Sequence, residues 1–194
     1  TNSAGMLSIP RDLWVNIPDF GYERINTAYF LGEANKLPGG GPGKAMETVE
    51  QLLGVPINYY AQIDFGAFVD FIDEVGGVIV DVPETITIDP RGDLPQTKIE
   101  PGQYTLNGEL SLAYARSRAS SGGDFDRAQR QQQVIMGLYN RLNAPKYWSI
   151  MLSKVDILYR IISDGVHTNL TTDLAVSLAI KARDIQPENI LKGA

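Results

Sequence analysis

The sequence predicts an α/β fold, and three observations carry that expectation. Ile57, Tyr59, Ala61 and Ile63 alternate with Asn58, Tyr60, Gln62 and Asp64, which is the period of a strand. Phe65, Phe68, Val69 and Ile72 follow at helical spacing and make one apolar face, with Asp64 placed to cap the helix. Gly76-Gly77 end that helix and Val78 to Val82 reads as the next strand, so strand, helix and strand succeed one another with the short connections of a parallel βαβ pair.

The remaining elements follow from the same patterns. Leu7 to Ile9 reads as a short buried strand stopped by Pro10, and residues 10–24 as loop. Asn26 is placed to cap a helix through Glu33. Pro38 to Gly43 reads as a flexible loop, followed by a helix over 44–53 that Gly54 ends. Residues 83–106 look irregular, with a hairpin around Ile86–Ile88 and Lys98-Ile99. Asn107-Gly108 opens a helix to Ala115, and Ser117 to Gly123 connects it to a long helix over 125–142. Two further helices are expected over 146–162 and 172–184, the last capped by Thr171 or Thr172.

The 194 residues suit one domain, taken as 1–194, and 43% apolar residues are enough to build a core. A net charge of -6 disfavours a nucleic-acid module, which needs a basic face to displace counterions. With no cysteine, disulfides, thiolate catalysis and cysteine-based zinc sites are excluded. No apolar run is long enough to span a bilayer. Met6 to Ile9 reads as the end of a strand without its start, so the chain is expected to lack an N-terminal part of its domain.

Within this acidic chain one segment is positive. Of ten arginines, Arg116, Arg118, Arg127 and Arg130 fall within fifteen residues, interspersed with Asp124 and Asp126. On the long helix Arg127, Gln131, Val134, Leu138 and Leu142 share one stripe, so Arg and Gln occupy the first turns of a core-facing row. An unpartnered guanidinium there is costly. Two readings fit: an internal Asp–Arg network, or an anion held by guanidinium forks at a helix N-terminus. The excess of arginines over aspartates favours a phosphate-bearing ligand.

Several segments in fixed order resemble the LytR-CpsA-Psr cell-wall ligases. They are Ser8-Ile9-Pro10-Arg11-Asp12, Arg24 to Tyr29, Asp64 to Val78, Leu106-Asn107-Gly108 with Tyr114 to Arg118, and Asp124-Phe125-Asp126-Arg127 through Gln132. The resemblance covers residues 7–142. It implies an α-β-α sandwich with a central mixed β-sheet flanked by helices. It also implies a phosphotransferase that moves a glycopolymer of teichoic acid, capsule or arabinogalactan type from a polyprenyl-pyrophosphate carrier to peptidoglycan. The place of work would be the extracytoplasmic face of the bacterial cytoplasmic membrane, reached through an N-terminal membrane helix outside this chain. Arg11, Arg116, Arg118, Arg127 and Gln131 match pyrophosphate-binding positions, with Arg130 in the same motif. Asp124 and Asp12 are the candidate bases, Asp12 being equally readable as a turn residue, and Arg118 would stabilise the transferring phosphoryl group. Phe65, Phe68 and Ile72 are either core or a wall of the lipid tunnel. The family's magnesium ion is held by aspartates preceding the Ser8-to-Asp12 piece. Residues 1–6 supply none of them, so this chain as it stands is expected to be inactive or poorly folded. A polyprenyl-phosphate-binding regulator and a pyrophosphatase share the same pocket and stay open as alternatives.

Other signals are weaker. His167 sits in a loop-like stretch, Gly39 to Gly43 lacks the Gly-Lys-Ser/Thr ending of a phosphate loop, and Asp70, Asp73 and Glu74 read as a solvated helix face.

Overall fold

The computed structural model describes residues 2–120 and 122–193. In chain order the elements are β1 (Ala4–Leu7), β2 (Trp14–Ile17), β3 (Gly21–Arg24), α1 (Thr27–Ala34), α2 (Gly40–Leu53), β4 (Ala61–Ile63), α3 (Phe65–Glu74) and β5 (Val78–Val82). They continue with β6 (Ile86–Ile88), β7 (Thr97–Ile99), β8 (Gly102–Leu106), α4 (Gly108–Arg116) and α5 (Asp124–Asn143). The chain ends with α6 (Trp148–Ser153), α7 (Val155–Gly165), β9 (Val166–Thr168), α8 (Thr172–Arg183) and β10 (Ile190–Gly193). The fold is mixed α/β, as the sequence predicts. Two compact units are distinguishable, residues 1–8, 63–167 and 176–194 in the larger and 9–62 and 168–175 in the smaller.

In the larger unit Val78, Val80 and Val82 point to one face of β5 and are buried, while Ile79 and Asp81 face outward. They join Ile86 and Ile88 of β6, Leu106 of β8, Ile72 of α3, Tyr114 of α4 and Val134 of α5 in one core. Asp64 caps α3 as predicted, by accepting from the Ala67 N–H at 2.7 Å, and Asn107, where the sequence opens α4, caps it by accepting from the Leu110 N–H at 3.0 Å. The predicted β6–β7 hairpin is present, antiparallel, with Ile86 opposite Ile99.

The predicted parallel βαβ pair is not. β5 pairs antiparallel with β8, Val78 opposite Leu106, and β4 pairs with β9. β8 escapes the sequence pattern because Leu106 is its one fully buried residue, so it carries almost no alternation. A parallel ladder joins β1 to β10, Ala4 opposite Ile190. β1 also lies earlier than the predicted strand, and Leu7 is 56% exposed rather than buried. The helix expected over 146–162 is broken at Lys154, whose ammonium turns to the Glu74 carboxylate at 2.8 Å and carbonyl at 3.1 Å. Glu74 is therefore not merely solvated. Neither is Asp73, which accepts from the Gly108 N–H at 2.7 Å and so completes the N-terminus of α4.

The smaller unit corrects the sequence reading in three places. Residues 10–24 contain a hairpin: β2 and β3 pair antiparallel, with Val15 and Ile17 buried on one face. Asn26 does not cap α1; its backbone is helical and its side chain makes no capping bond, while the Thr27 hydroxyl donates to Arg24 O. The glycine run is no flexible loop, because α2 starts at Gly40. A β-carbon on Gly32 would lie 2.3 Å from Gly40 O, and one on Gly41 2.7 Å from Tyr29 O, so the glycines serve close packing of α1 on α2.

The same steric logic fixes Gly108, where a β-carbon would sit 2.3 Å from the Val69 carbonyl oxygen of α3. Gly108→Ala should therefore push α4 away from α3 and cost about 1–3 kcal/mol. A lowered urea midpoint at unchanged slope would show it; an unchanged midpoint would mean that α3 and α4 give way freely.

Candidate functional site: an arginine face between two helices

Helix α4 ends at Arg116 because the chain turns extended at Ser117, and α5 begins at Asp124. The short connection brings the positive segment to one end of the larger unit. Arg116 and Arg118, both exposed, line a cavity of about 400 Å3 together with Thr87, Asp89 and Gln96 of the β6–β7 hairpin. The Arg116 guanidinium lies 5.1 Å from the centre of the Phe65 ring, a cation–π arrangement.

Asp124 organises the next two arginines. One carboxylate oxygen receives Arg118 Nε at 3.2 Å and Arg127 Nη1 at 3.0 Å. Arg127 is thereby drawn in, its side chain 14% exposed, while Arg118 stays half exposed at 51%. Negative charge in the first turn of α5 also suits the helix dipole. The internal ion-pair reading of the cluster thus holds for this carboxylate, while Arg116 and Arg118 still present guanidinium surface to the cavity.

Asp126 has a different task. It accepts from the Gly122 N–H at 2.9 Å and is hydrogen-bonded by Ser120. The Ser120 bond first, and then the Gly122 N–H, hold its carboxyl below the usual range. Arg130 is buried, donating from Nη2 to Ser117 O at 2.7 Å and from Nη1 to Ser120 Oγ at 3.1 Å. Burial pushes its guanidinium pKa down from the usual value.

Other predicted residues fall elsewhere. Gln131 is exposed and reaches only Ala115 O, at 3.4 Å, so it does not head a core-facing row. The buried row of α5 instead runs through Arg130, Val134, Gly137 and Arg141, spaced four, three and four residues apart. Arg11 and Asp12 belong to the smaller unit, where Asp12 lies 3.9 Å from Arg24 and Arg11 is exposed. Ile72 is fully buried and Phe68 packs on the core around it, whereas Phe65 is exposed beneath Arg116. His167 lies in β9 rather than in a loop.

Three polar side chains that position this face were not singled out by sequence. Gln132 donates to Ser8 Oγ at 2.8 Å and to Gly193 O at 2.7 Å, tying α5 to β1 and β10. Arg141 donates to Gly76 O and Gly77 O, both at 2.8 Å. The Tyr114 hydroxyl, whose pKa burial raises, meets Gln133 Oε1 at 2.6 Å. Each is polar at a position where the helical pattern wants an apolar residue, which is the one signal the sequence offered.

No group of three or more His, Cys, Asp or Glu side chains among the described residues is arranged to hold a metal ion. Asp124 is committed to two guanidinium groups and Asp126 to its own loop, which leaves neither carboxylate of this face as a ready metal ligand.

Two outcomes follow from this geometry. Asp124→Asn removes the charge that competes with an arriving anion for Arg118 and Arg127. Inorganic pyrophosphate, titrated calorimetrically, should bind about two- to fivefold tighter, the range of an exposed ion pair. Weaker binding would mean that Asp124 orients the arginines more than it occupies them. The second concerns pH. The folded Asp126 pKa lies below its unfolded value, so the loop's stabilisation is fully present above 3.8 and is lost as pH falls through the folded value. The Gly122 amide resonance should titrate with a midpoint below 3.8, and Asp126→Asn should remove that titration; a midpoint at or above the ordinary value would sink the assignment.

Known proteins of similar sequence and fold identify the family of this chain. The LytR_cpsA_psr family model matches residues 1–193, both units together. The polyisoprenyl-teichoic acid–peptidoglycan teichoic acid transferase TagV of Bacillus subtilis (strain 168) is 37% identical over 172 residues, 85% of this chain and 40% of that protein. The crystal structure of B. subtilis TagV superposes with a TM-score of 0.77 at 32% identity, over 98% of this chain and 70% of that one. A structure of TagT bound to LI-WTA superposes at 0.70 with 27% identity, over 100% of this chain and 66% of that one. The chain spans 40–51% of the length of the first curated relatives it matches. Spacing of motifs, fold and the whole-length family match lead to one conclusion: this chain belongs to the LytR_cpsA_psr family.

Proposed function

We propose that this chain carries the pyrophosphate-recognition face of a phosphotransferase that moves a glycopolymer from a polyprenyl-pyrophosphate carrier to peptidoglycan. The observation that carries the reading is the cavity of about 400 Å3 lined by Arg116 and Arg118, beside Asp124 and Arg127. Guanidinium forks match phosphate oxygens in bidentate fashion and keep their charge at any working pH. TagV is named for the transfer of teichoic acid to peptidoglycan, and the TagT structure holds LI-WTA, which supports the same class of substrate for this chain.

In the proposed step a sugar hydroxyl oxygen of peptidoglycan attacks the phosphorus that bears the glycopolymer. A new phosphodiester bond forms, the bond to the bridging oxygen breaks, and polyprenyl phosphate leaves with the electron pair. Arg116 and Arg118 stabilise the charge that grows on the leaving phosphate. The hydroxyl proton passes to a carboxylate, Asp124 being the candidate within this face. Phe65, exposed beneath Arg116, supplies an apolar surface where the first isoprene units would lie. The setting is the outer face of the cytoplasmic membrane; among the described residues no helix is long and apolar enough to cross it.

A soluble isoprenoid pyrophosphate should raise the melting temperature by mass action, with and without magnesium, and Arg116→Ala should weaken binding about tenfold or more, the worth of a charge-assisted hydrogen bond. A folded parent that shows no shift, or an Arg116→Ala protein that binds as the parent does, would remove the basis for the reading.

A further inference from the structure

Arg130 belongs to the same positive segment as the cavity arginines, yet its surroundings differ from theirs. It is 6% exposed, where Arg118 is half exposed. Arg130 is not among the residues lining the cavity that Arg116 and Arg118 face; it borders a space of about 80 Å3 against about 400 Å3. Two of its nitrogens are spent on the α4–α5 connection, Nη2 on Ser117 O and Nη1 on Ser120 Oγ. Ser120 in turn hydrogen-bonds Asp126, which also holds the Gly122 N–H. The Ser117 hydroxyl donates to Thr87 O of β6 at 3.3 Å, so the same connection is tied to the hairpin side of the cavity as well. Arg118 stands between the two points that Arg130 grips.

We propose that Arg130 is a positioning residue, bracing the connection on both sides of Arg118 through Ser117 and Ser120, and not a ligand of the pyrophosphate. The inference rests on the phosphate-recognition reading of the cavity. A planar guanidinium suits the task because it donates in fixed directions from two nitrogens at once, which an ammonium on a flexible stem does not. The brace sets the Arg118 backbone, and through it the distance of that guanidinium from Asp124 and from an arriving phosphate. Arg130 thus acts on binding only through Arg118.

Two measurements on the whole chain test this. The first is amide hydrogen exchange of the ligand-free protein at Gly122 and Gly123, in the parent, in Arg130→Met and in the milder Ser120→Ala. Exchange should speed up about tenfold or more in Arg130→Met, the consequence of losing buried charge-assisted bonds, and to a smaller degree in Ser120→Ala. The second is a double-mutant cycle for inorganic pyrophosphate. Arg130→Met should weaken binding about tenfold in the parent and at most about twofold in an Arg118→Ala background, because the two residues act as one unit. Losses that add would make Arg130 a direct ligand and overturn the proposal, as would unchanged exchange at both amides. Should Arg130→Met fail to fold by circular dichroism, Ser120→Ala decides through the same two readings. A parent that does not bind pyrophosphate overturns the functional reading, and with it the role in recognition, while the exchange measurement still decides whether the brace exists.

Discussion

Concentrating positive charge is the constraint on which the larger unit depends. Two like charges 4 Å apart repel by about 4 kcal/mol near a protein surface, at an effective dielectric constant of about 20. Four guanidinium groups within fifteen residues cannot converge without compensation. The chain provides it unequally. Asp124 offsets part of the charge of Arg118 and Arg127 through one oxygen, Arg116 rests on the face of Phe65, and Arg130 is turned inward onto backbone and hydroxyl oxygens. Two arginines keep exposed guanidinium surface toward the cavity, and two are drawn in. The division follows from which acceptors each side chain meets, since all four are chemically identical.

Helix α5 makes that division possible because it is buried along more than one face. Its first turn carries Asp124 and Arg127. Further on, Gln132 binds Ser8 and Gly193, Gly137 lies against the Ile79 carbonyl, and Arg141 takes the carbonyls of Gly76 and Gly77. A buried polar side chain is tolerated only where its donors are met. On α5 such side chains recur over the whole length, which anchors the helix to β1, β10 and the start of β5. A displacement of α5 would therefore lengthen several bonds together, and the arginine face at its N-terminus shares that anchoring.

Much of this was legible in the sequence and some was not, for physical reasons. Elements with strong local signals came through: the Asp64 and Asn107 caps, the β5 run of valines, the β6–β7 hairpin and the long α5 all lie where the pattern puts them. Pairing did not, because a strand such as β8 with one fully buried residue carries no period, and its partner is chosen by the three-dimensional core. The glycine run was misread because glycine signals both freedom and close approach, and only the spacing of α1 against α2 tells them apart. At the site, the sequence located the arginine cluster but not its internal division. Assuming that Arg127 and Gln131 head the apolar stripe rotates α5 toward the wrong side; the buried row starts at Arg130.

That rotation matters for how the face would meet an anion. In the ligand-free chain Arg118 and Arg127 already share the Asp124 carboxylate, so neither is an isolated charge. A phosphate that approaches them exchanges one anionic partner for another rather than stripping water from an isolated charge. The desolvation cost of such an exchange is smaller than that of burying a fresh ion pair. The net gain is correspondingly modest for one phosphate group and grows with the number of oxygens presented at once. A pyrophosphate offers two adjoining groups to Arg116, held on Phe65, and to Arg118, held between Ser117 and Ser120. In the proposed function, discrimination for a diphosphate over a monophosphate would arise from two arginines, each positioned by a different neighbour.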